Sequence, residues 1–176
     1  LANVLRQLYK ELYGELPHSI VIDTYSSWML RQLYPDRSVL IDGKYPIAPK
    51  EQQYAFIKQA QQEVSQQYPD DNIVSVRSLS FFIDEISDVI RARGLQSLQD
   101  YQLVNRVGRG IGLDRERHRP IVWQIYERYQ QLLDENQLVD FSDLPRLVLK
   151  QHNSLQKHDV VIIDEAVSVK DFETTS

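Results

Sequence analysis

Two adjacent carboxylates, Asp164 and Glu165, directly follow four β-branched apolar residues at positions 160–163. Such a run predicts a buried strand, and the carboxyl ends of strands are where open α/β sheets bind ligands. There the first carboxylate would hold Mg²⁺, directly or through water, and the second would orient and deprotonate an attacking water. The pattern favours nucleotide hydrolysis, although strand ends also carry acids simply for solubility.

A second candidate site is the stretch 91–119, which has seven arginines against three acidic residues and so carries a net charge of +4. The whole chain has a formal net charge of −5. Because salt screens charges over about 8–10 Å, nearby charges decide whether a surface binds phosphate. The stretch is either a nucleic-acid-binding surface or a solvated arginine-rich face. The arginines that we predict to contact DNA are Arg106, Arg109, Arg115, Arg117 and Arg119.

Composition narrows the classes of protein further. The chain has 176 residues, 42% of them hydrophobic and 26% charged, which is typical of one globular domain, or of one with a small insertion. It contains no cysteine, which excludes disulfide frameworks, thiolate metal sites and thiol nucleophiles. The printed sequence shows neither a run of about 20 apolar residues nor a signal-peptide pattern, so we expect no membrane partner.

The elements that must position these residues are strands near the two ends and helices between them. Apolar spacing predicts an amphipathic helix from Ala2 to Tyr13 that stops at Gly14. Residues 19–23 read as a buried strand, and we expect Ser26 or Ser27 to cap the helix that follows. The middle, from about residue 49 to residue 135, is almost purely helical. This order predicts a helix-rich α/β fold with a helical insertion.

Local capping patterns predict where two further helices begin. Ser97 is followed three residues later by Asp100, an arrangement similar to a capping box. Asp140 or Ser142 can cap the helix that begins at Leu144.

Phrases at three places, in the correct order, resemble the UvrD/Rep-type superfamily 1 DNA helicases. They are IDTYSSW at 22–28 with LR at 30–31, YQQLL at 129–133 with LVDFSDL at 138–144, and VVIIDEA at 160–166. The first is similar to the family's strand, Thr-Phe-His-Ser turn and helix. The second resembles the segment that precedes the family's Walker B strand, and the third resembles that strand itself.

The resemblance implies that residues 1–35 and 137–176 are part of a RecA-like (P-loop NTPase) motor domain with a parallel sheet, and that 36–136 is its inserted helical subdomain. It implies that Asp164 coordinates Mg²⁺ and that Glu165 is the catalytic base. It also places a short turn along the single-stranded DNA path, where an aromatic ring could stack a base. The residues of this turn are Thr24, Tyr25, Ser26, Ser27 and Trp28. Tyr25 is the stronger stacking candidate, because Trp28 fits a core position equally well.

The sequence departs from the family pattern at three places. It contains no Gly-x-Gly-Lys-Thr phosphate loop, Ser26 stands where the family has histidine, and Ala166 is followed by Val167 instead of Gln-Asp. A deletion, a gap or divergence would each produce the last difference. We therefore interpret the chain as an internal fragment of a helicase that does not hydrolyse ATP alone.

The resemblance also implies the partners and setting of the parent protein. ATP and Mg²⁺ are its cofactors, with neither expected on the isolated chain. Its partners are single-stranded DNA, the duplex junction and the remaining motor domains, and its location is the cytoplasm, at the nucleoid. The alternative is a helical module that binds nucleic acid or protein without ATPase activity.

Overall fold

The computed structural model describes residues 1–35, 45–107, 110, 112–151, 153 and 155–164. Eight α-helices form most of this part of the chain, with a π-helical turn at Ile86–Arg91 and a 3₁₀ turn at Phe141–Asp143. The helices are α1 (Ala2–Tyr13), α2 (Tyr25–Leu33), α3 (Lys50–Ser65), α4 (Asn72–Val76), α5 (Leu79–Glu85), α6 (Leu98–Leu103), α7 (His118–Glu135) and α8 (Leu144–Lys150).

The larger hydrophobic core is centred on α3 and α7, which pack against each other more extensively than any other pair. Helix α3 buries Ile57, Ala60 and Val64, which lie three to four residues apart and so share one face. This face meets a broad apolar side of α7, and α5, the π turn and α6 close the core around it. We call this group of helices, with α4, the helical unit.

A smaller core holds α2 and α8 together. Met29 of α2 packs with Leu144 and Val148 of α8, and all three are buried. Half-buried neighbours, Trp28 among them, surround this cluster. We call these two helices the α2–α8 pair.

The two cores are joined where the chain crosses between them. A parallel bridge pairs Ile47 with Val139. The Val139 amide donates to the Pro46 carbonyl at 2.7 Å, and the Ala48 amide donates to the Val139 carbonyl at 2.9 Å. The entry into the helical unit and the exit from it therefore lie side by side.

The predicted parallel sheet is not seen in the described residues, in which this bridge is the only strand-like pairing. Residues 20–24 and 160–163 are irregular, and the side chains of Val160 to Ile163 are exposed, Ile162 by 92%. The physical reason is that a strand needs a neighbouring strand for its backbone N–H and C=O groups. Residue type alone cannot supply that neighbour. The predicted domain boundaries stay a prediction.

Helix α1 begins and ends where the sequence predicts, and Gly14 follows it with a φ of 87°. That positive φ is a conformation that glycine adopts without strain. The apolar stripe of the helix faces solvent, with Val4, Leu5, Leu8 and Leu12 all exposed. No described helix is both long and apolar enough to cross a membrane.

Candidate nucleic-acid interface

The turn at Thr24 is built by its own side chains. Thr24 is the N-cap of α2, and its Oγ1 accepts a 3.2 Å hydrogen bond from the Ser27 amide. The same hydroxyl donates to Ser27 Oγ at 2.9 Å. The expectation that Ser26 or Ser27 caps this helix is therefore wrong, because Thr24 satisfies the free amide first and starts the helix at Tyr25.

Asp23 anchors this turn to two helices. Its Oδ1 accepts a 2.9 Å hydrogen bond from the Thr24 amide and lies 3.3 Å from Nη2 of Arg6 in α1. Its Oδ2 forms an ion pair with Arg31 of α2. The Asp23 side chain is 8% exposed and lies between the two arginines, so it links α1, the turn and α2.

Two aromatic rings lie together at the start of α2. The rings of Tyr25 and Trp28 are stacked, with centroids 6.4 Å apart and planes 12° from parallel. Trp28 is half-buried against the smaller core, whereas Tyr25 is 50% exposed. The structure therefore places a half-exposed tyrosine against a tryptophan that packs on the smaller core.

Two of the five predicted DNA-binding arginines have structural roles in the helical unit. Arg119 is buried, and its Nη1 donates to the carbonyls of Tyr101, Gln102 and Val104 at 2.6, 2.9 and 2.9 Å. These carbonyls lie at the C-terminal end of α6, where a helix leaves acceptors without partners. The Arg106 side chain is 6% exposed and pairs with the fully buried Glu85.

Two other arginines of the group lie at the surface. Arg115 is exposed, and Arg117 is 65% exposed although its Nε donates to Asp71 at 2.8 Å. Asp114 organises this loop, since its Oδ1 accepts from the Glu116 and Arg117 amides at 3.0 and 2.7 Å. Of the five predicted DNA-binding arginines, those that the structure shows as exposed therefore lie just before α7.

The predicted phosphate-chemistry residues are placed only in part. Asp164 is exposed on irregular chain, and Glu165 and Arg109 lie outside the described residues. No group of three or more metal-ligating side chains occurs in the described ranges. Because protein Mg²⁺ sites combine carboxylates with phosphate oxygens and water, Asp164 alone does not make such a site. We derive no catalytic step from it.

A buried charged cluster that sequence reasoning missed lies between the two cores. Arg91, from the π turn, forms an ion pair with Asp140, lies 3.2 Å from Asp143 Oδ2 through Nη2, and donates to Ser142 Oγ at 2.9 Å. The Tyr129 hydroxyl donates to Asp140 Oδ2 at 2.6 Å. In the sequence, Arg91 directly follows the apolar residues Val89 and Ile90, which is a signal for burial. Its place in the basic stretch 91–119 instead favours a surface position.

The charges of this cluster stabilise one another. Burial alone would lower the pKa of Arg91, but Asp143 and Asp140 hold it above its ordinary value. Burial alone would raise the pKa of Asp140, yet the Arg91 charge and the hydrogen bonds from Tyr129 and Ser142 outweigh burial and lower it. The surroundings of Arg91 and Asp140 therefore favour the charged form of each.

Comparison with known proteins gives one match. A family model described as UvrD/REP helicase N-terminal domain matches residues 2–168. No curated protein and no solved structure matches the chain.

Proposed function

This chain belongs to the UvrD/REP helicase N-terminal domain family, and from that premise we propose that it forms the DNA-contacting part of an ATP-dependent DNA helicase motor. In the parent protein, this motor translocates on single-stranded DNA and unwinds the duplex ahead of it. The proposal assigns the chain's own residues to holding DNA, at the turn before α2 and at the loop before α7.

The aromatic pair of Tyr25 and Trp28 is the observation that carries this proposal. A half-exposed ring that stacks on a second, half-buried ring offers an accessible aromatic surface for a base. Stacking of a base on an aromatic side chain is worth about 1–3 kcal/mol and tolerates any base. Such a contact suits a protein that moves along DNA irrespective of sequence. The neighbouring hydroxyls of Thr24 and Ser27 are exposed beside it.

Arg115 and Arg117 support the proposal with charge. Both are exposed, and contacts between such side chains and phosphates bind DNA without reading its sequence. Asp114 holds the backbone between them, so the two positions keep a defined spacing. Arg109 is kept in the proposal from its place in the sequence, whereas Arg106 and Arg119 are assigned to the fold.

ATP and Mg²⁺ enter the proposal through the family alone. Asp164 is proposed to hold Mg²⁺ and Glu165 to act as catalytic base in the intact parent. The printed sequence has no phosphate loop to cradle the β- and γ-phosphates. We accordingly propose that this chain alone does not turn over ATP.

The exposed apolar stripe of α1 supports contact with the remaining motor domains. Leu5, Leu8 and Leu12 form a continuous row on that helix and lie outside both cores. A row of this kind is typical of a surface that another protein surface covers. Membership of the UvrD/REP helicase N-terminal domain family further supports a location in the cytoplasm, at the nucleoid, and a role in DNA repair.

A titration of labelled single-stranded DNA tests the proposal. We expect Tyr25→Leu to weaken binding by about 5-fold to 150-fold, the equivalent of losing one stacked base. Tyr54→Leu is the matched control, because Tyr54 is a similarly exposed tyrosine on α3. Equal affinity of the Tyr25→Leu variant and the wild-type chain would contradict the stacking role, and no salt-sensitive binding by the wild-type chain would contradict the proposal as a whole.

The charge contribution is measured in the same titration at several salt concentrations. We expect Arg115→Ala and Arg117→Ala each to reduce the slope of log affinity against log salt by about 1. Lys58→Ala, at an exposed position of α3, should leave the slope unchanged. If Lys58→Ala reduces the slope as much as the two arginine variants do, DNA contacts basic side chains without preference for the loop before α7. That result would contradict the proposed DNA path.

A further inference from the structure

The Arg91 cluster spans the boundary between the two cores. Arg91 belongs to the π turn of the helical unit, whereas Asp140 and Asp143 belong to the segment that leads into α8. The two turns are in direct contact. The Arg91 side chain is 2% exposed, and its charge faces the carboxylates of Asp140 and Asp143 at this boundary.

Without this cluster, the backbone would join the two cores through a narrow crossing. The segments around Ile47 and Val139 run side by side and are paired by the bridge between them. Two paired segments resist being pulled apart, but they allow rotation about an axis that runs along them. The α2–α8 pair would then be able to swing relative to the helical unit.

Arg91 supplies a further attachment that begins next to the backbone crossing and extends along the turn that leads into α8. It contacts the side chains of Asp140, Ser142 and Asp143, which span the whole 3₁₀ turn before α8. Its guanidinium also lies 5.3 Å from the Tyr129 ring centroid and 5.8 Å from that of Tyr126, both on α7. The planar group is therefore held by α7 on one side and by the turn on the other.

The π turn is what presents Arg91 to this boundary. Each i→i+5 turn accommodates an extra residue, which rotates the residues after it relative to a regular α-helix. Glu85, just before the turn, pairs with Arg106 inside the helical unit. Arg91, at its end, instead pairs with the segment that leads into α8. Helix distortions of this kind occur often at functional positions.

We propose that Arg91 is a positioning residue that locks the orientation of the α2–α8 pair on the helical unit through Asp140 and Asp143. The lock goes beyond the function proposed above and does not depend on it. One consequence does rest on that function: the lock would hold Tyr25, at the start of α2, at a fixed distance from Arg115 and Arg117.

The distance between spin labels on the two cores tests the lock. The sequence has no cysteine, so Lys58→Cys on α3 and Lys150→Cys on α8, both exposed positions, provide two unique labelling sites. Double electron–electron resonance then measures the distribution of distances between the helical unit and the α2–α8 pair. We expect one narrow distribution in the otherwise wild-type chain.

The test variant is Arg91→Met/Asp140→Asn, made with the same labels. Asp140→Asn removes the charge that Arg91→Met would leave unpaired, Asp143 keeps its ion pair with Arg146 at 2.9 Å, and the Tyr129 hydroxyl keeps an acceptor. This variant is therefore expected to fold where Arg91→Met alone fails. The proposal predicts loss of the single narrow distance, through broadening or splitting. A distribution as narrow as that of the wild-type chain would overturn it.

Arg128→Met is the matched control. Arg128 also pairs with two carboxylates, those of Glu63 and Glu135, but all three residues lie within the helical unit. We expect this variant to keep the wild-type distribution even if it unfolds at a lower urea concentration. A purely structural role for Arg91 would make the two variants behave alike, with lower stability and an unchanged distance, and that result would also overturn the lock.

Discussion

The Arg106 guanidinium holds the Glu85 carboxylate by two hydrogen bonds, 2.6 Å from Nε to Oε1 and 2.7 Å from Nη2 to Oε2. The Tyr101 hydroxyl donates to the same carboxylate at 2.7 Å. Glu85 is fully buried, so these donors take the place of the water that would solvate an exposed carboxylate. An arginine in a basic stretch is thus a component of the core of the helical unit.

Arg106→Met should lower the free energy of unfolding by about 3–5 kcal/mol, because it removes a counter-charge from a buried carboxylate. Urea unfolding followed by circular dichroism measures the loss. Arg106→Met/Glu85→Gln removes both charges and should recover a large part of it. A single variant as stable as the wild-type chain would show that the pair does not carry this role.

A comparison of Arg119→Lys with Arg115→Lys distinguishes an arginine that stabilises the fold from one that we propose to contact DNA. Lysine keeps the charge but lacks the planar guanidinium that donates to the carbonyls at the end of α6. We expect this variant to lose about 1–3 kcal/mol of stability. Arg115→Lys, on the exposed loop, should stay within about 0.5 kcal/mol of the wild-type chain. Equal urea midpoints for the two variants would contradict the assignment.

The Asp140 carboxylate makes stability depend on acid pH. Its pKa in the folded protein lies below the ordinary value, so its contribution is complete above the unfolded-state pKa, about 3.9. That contribution is lost as the pH falls from there through the lower folded-state pKa. Unfolding free energies measured between neutral and strongly acid pH should therefore fall less steeply for Asp140→Asn than for the wild-type chain. Asp134→Asn, at an exposed position of α7, is the control and should retain the wild-type steepness.

ATP turnover by the isolated chain should be indistinguishable from background, because its sequence has no phosphate loop. A coupled assay with excess Mg²⁺, with and without single-stranded DNA, measures this rate. Measurable turnover that Glu165→Gln abolishes would contradict the prediction and would place a working site in this chain. Turnover that persists in Glu165→Gln would instead point to a contaminating enzyme.

Some helix starts and stops that depend on near neighbours were predictable from the sequence. The predicted caps of two helices are wrong, because Thr24 caps α2 and Asp140 caps the 3₁₀ turn instead of α8. The α1 boundaries follow from apolar spacing and from Gly14. At α6, Ser97 accepts from the Asp100 amide at 3.1 Å and donates to the Asp100 carboxylate at 2.7 Å, as its spacing predicts. Both partners of each contact lie within one or two helical turns, so residue order alone brings them together.

The predicted strands are not seen in the described part of the chain. The apolar residues 160–163 have the composition of a buried strand, yet they are exposed on irregular chain. A helix satisfies its own backbone hydrogen bonds, whereas a strand depends on another strand. The order of residues therefore predicts helices more directly than it predicts a sheet.

The roles of the arginines were decided by tertiary structure. Arg91, Arg106 and Arg119 share one basic stretch with Arg115, and nothing in their spacing separates the four. The fold brings Asp140, Glu85 and the α6 carbonyls to the first three, which makes burial of each charge favourable, and leaves Arg115 in water. The family and the pattern of helices can be recognised from the order of the residues alone. Whether a charge lies in the core or at the surface depends on which distant acceptors the folded chain brings to it.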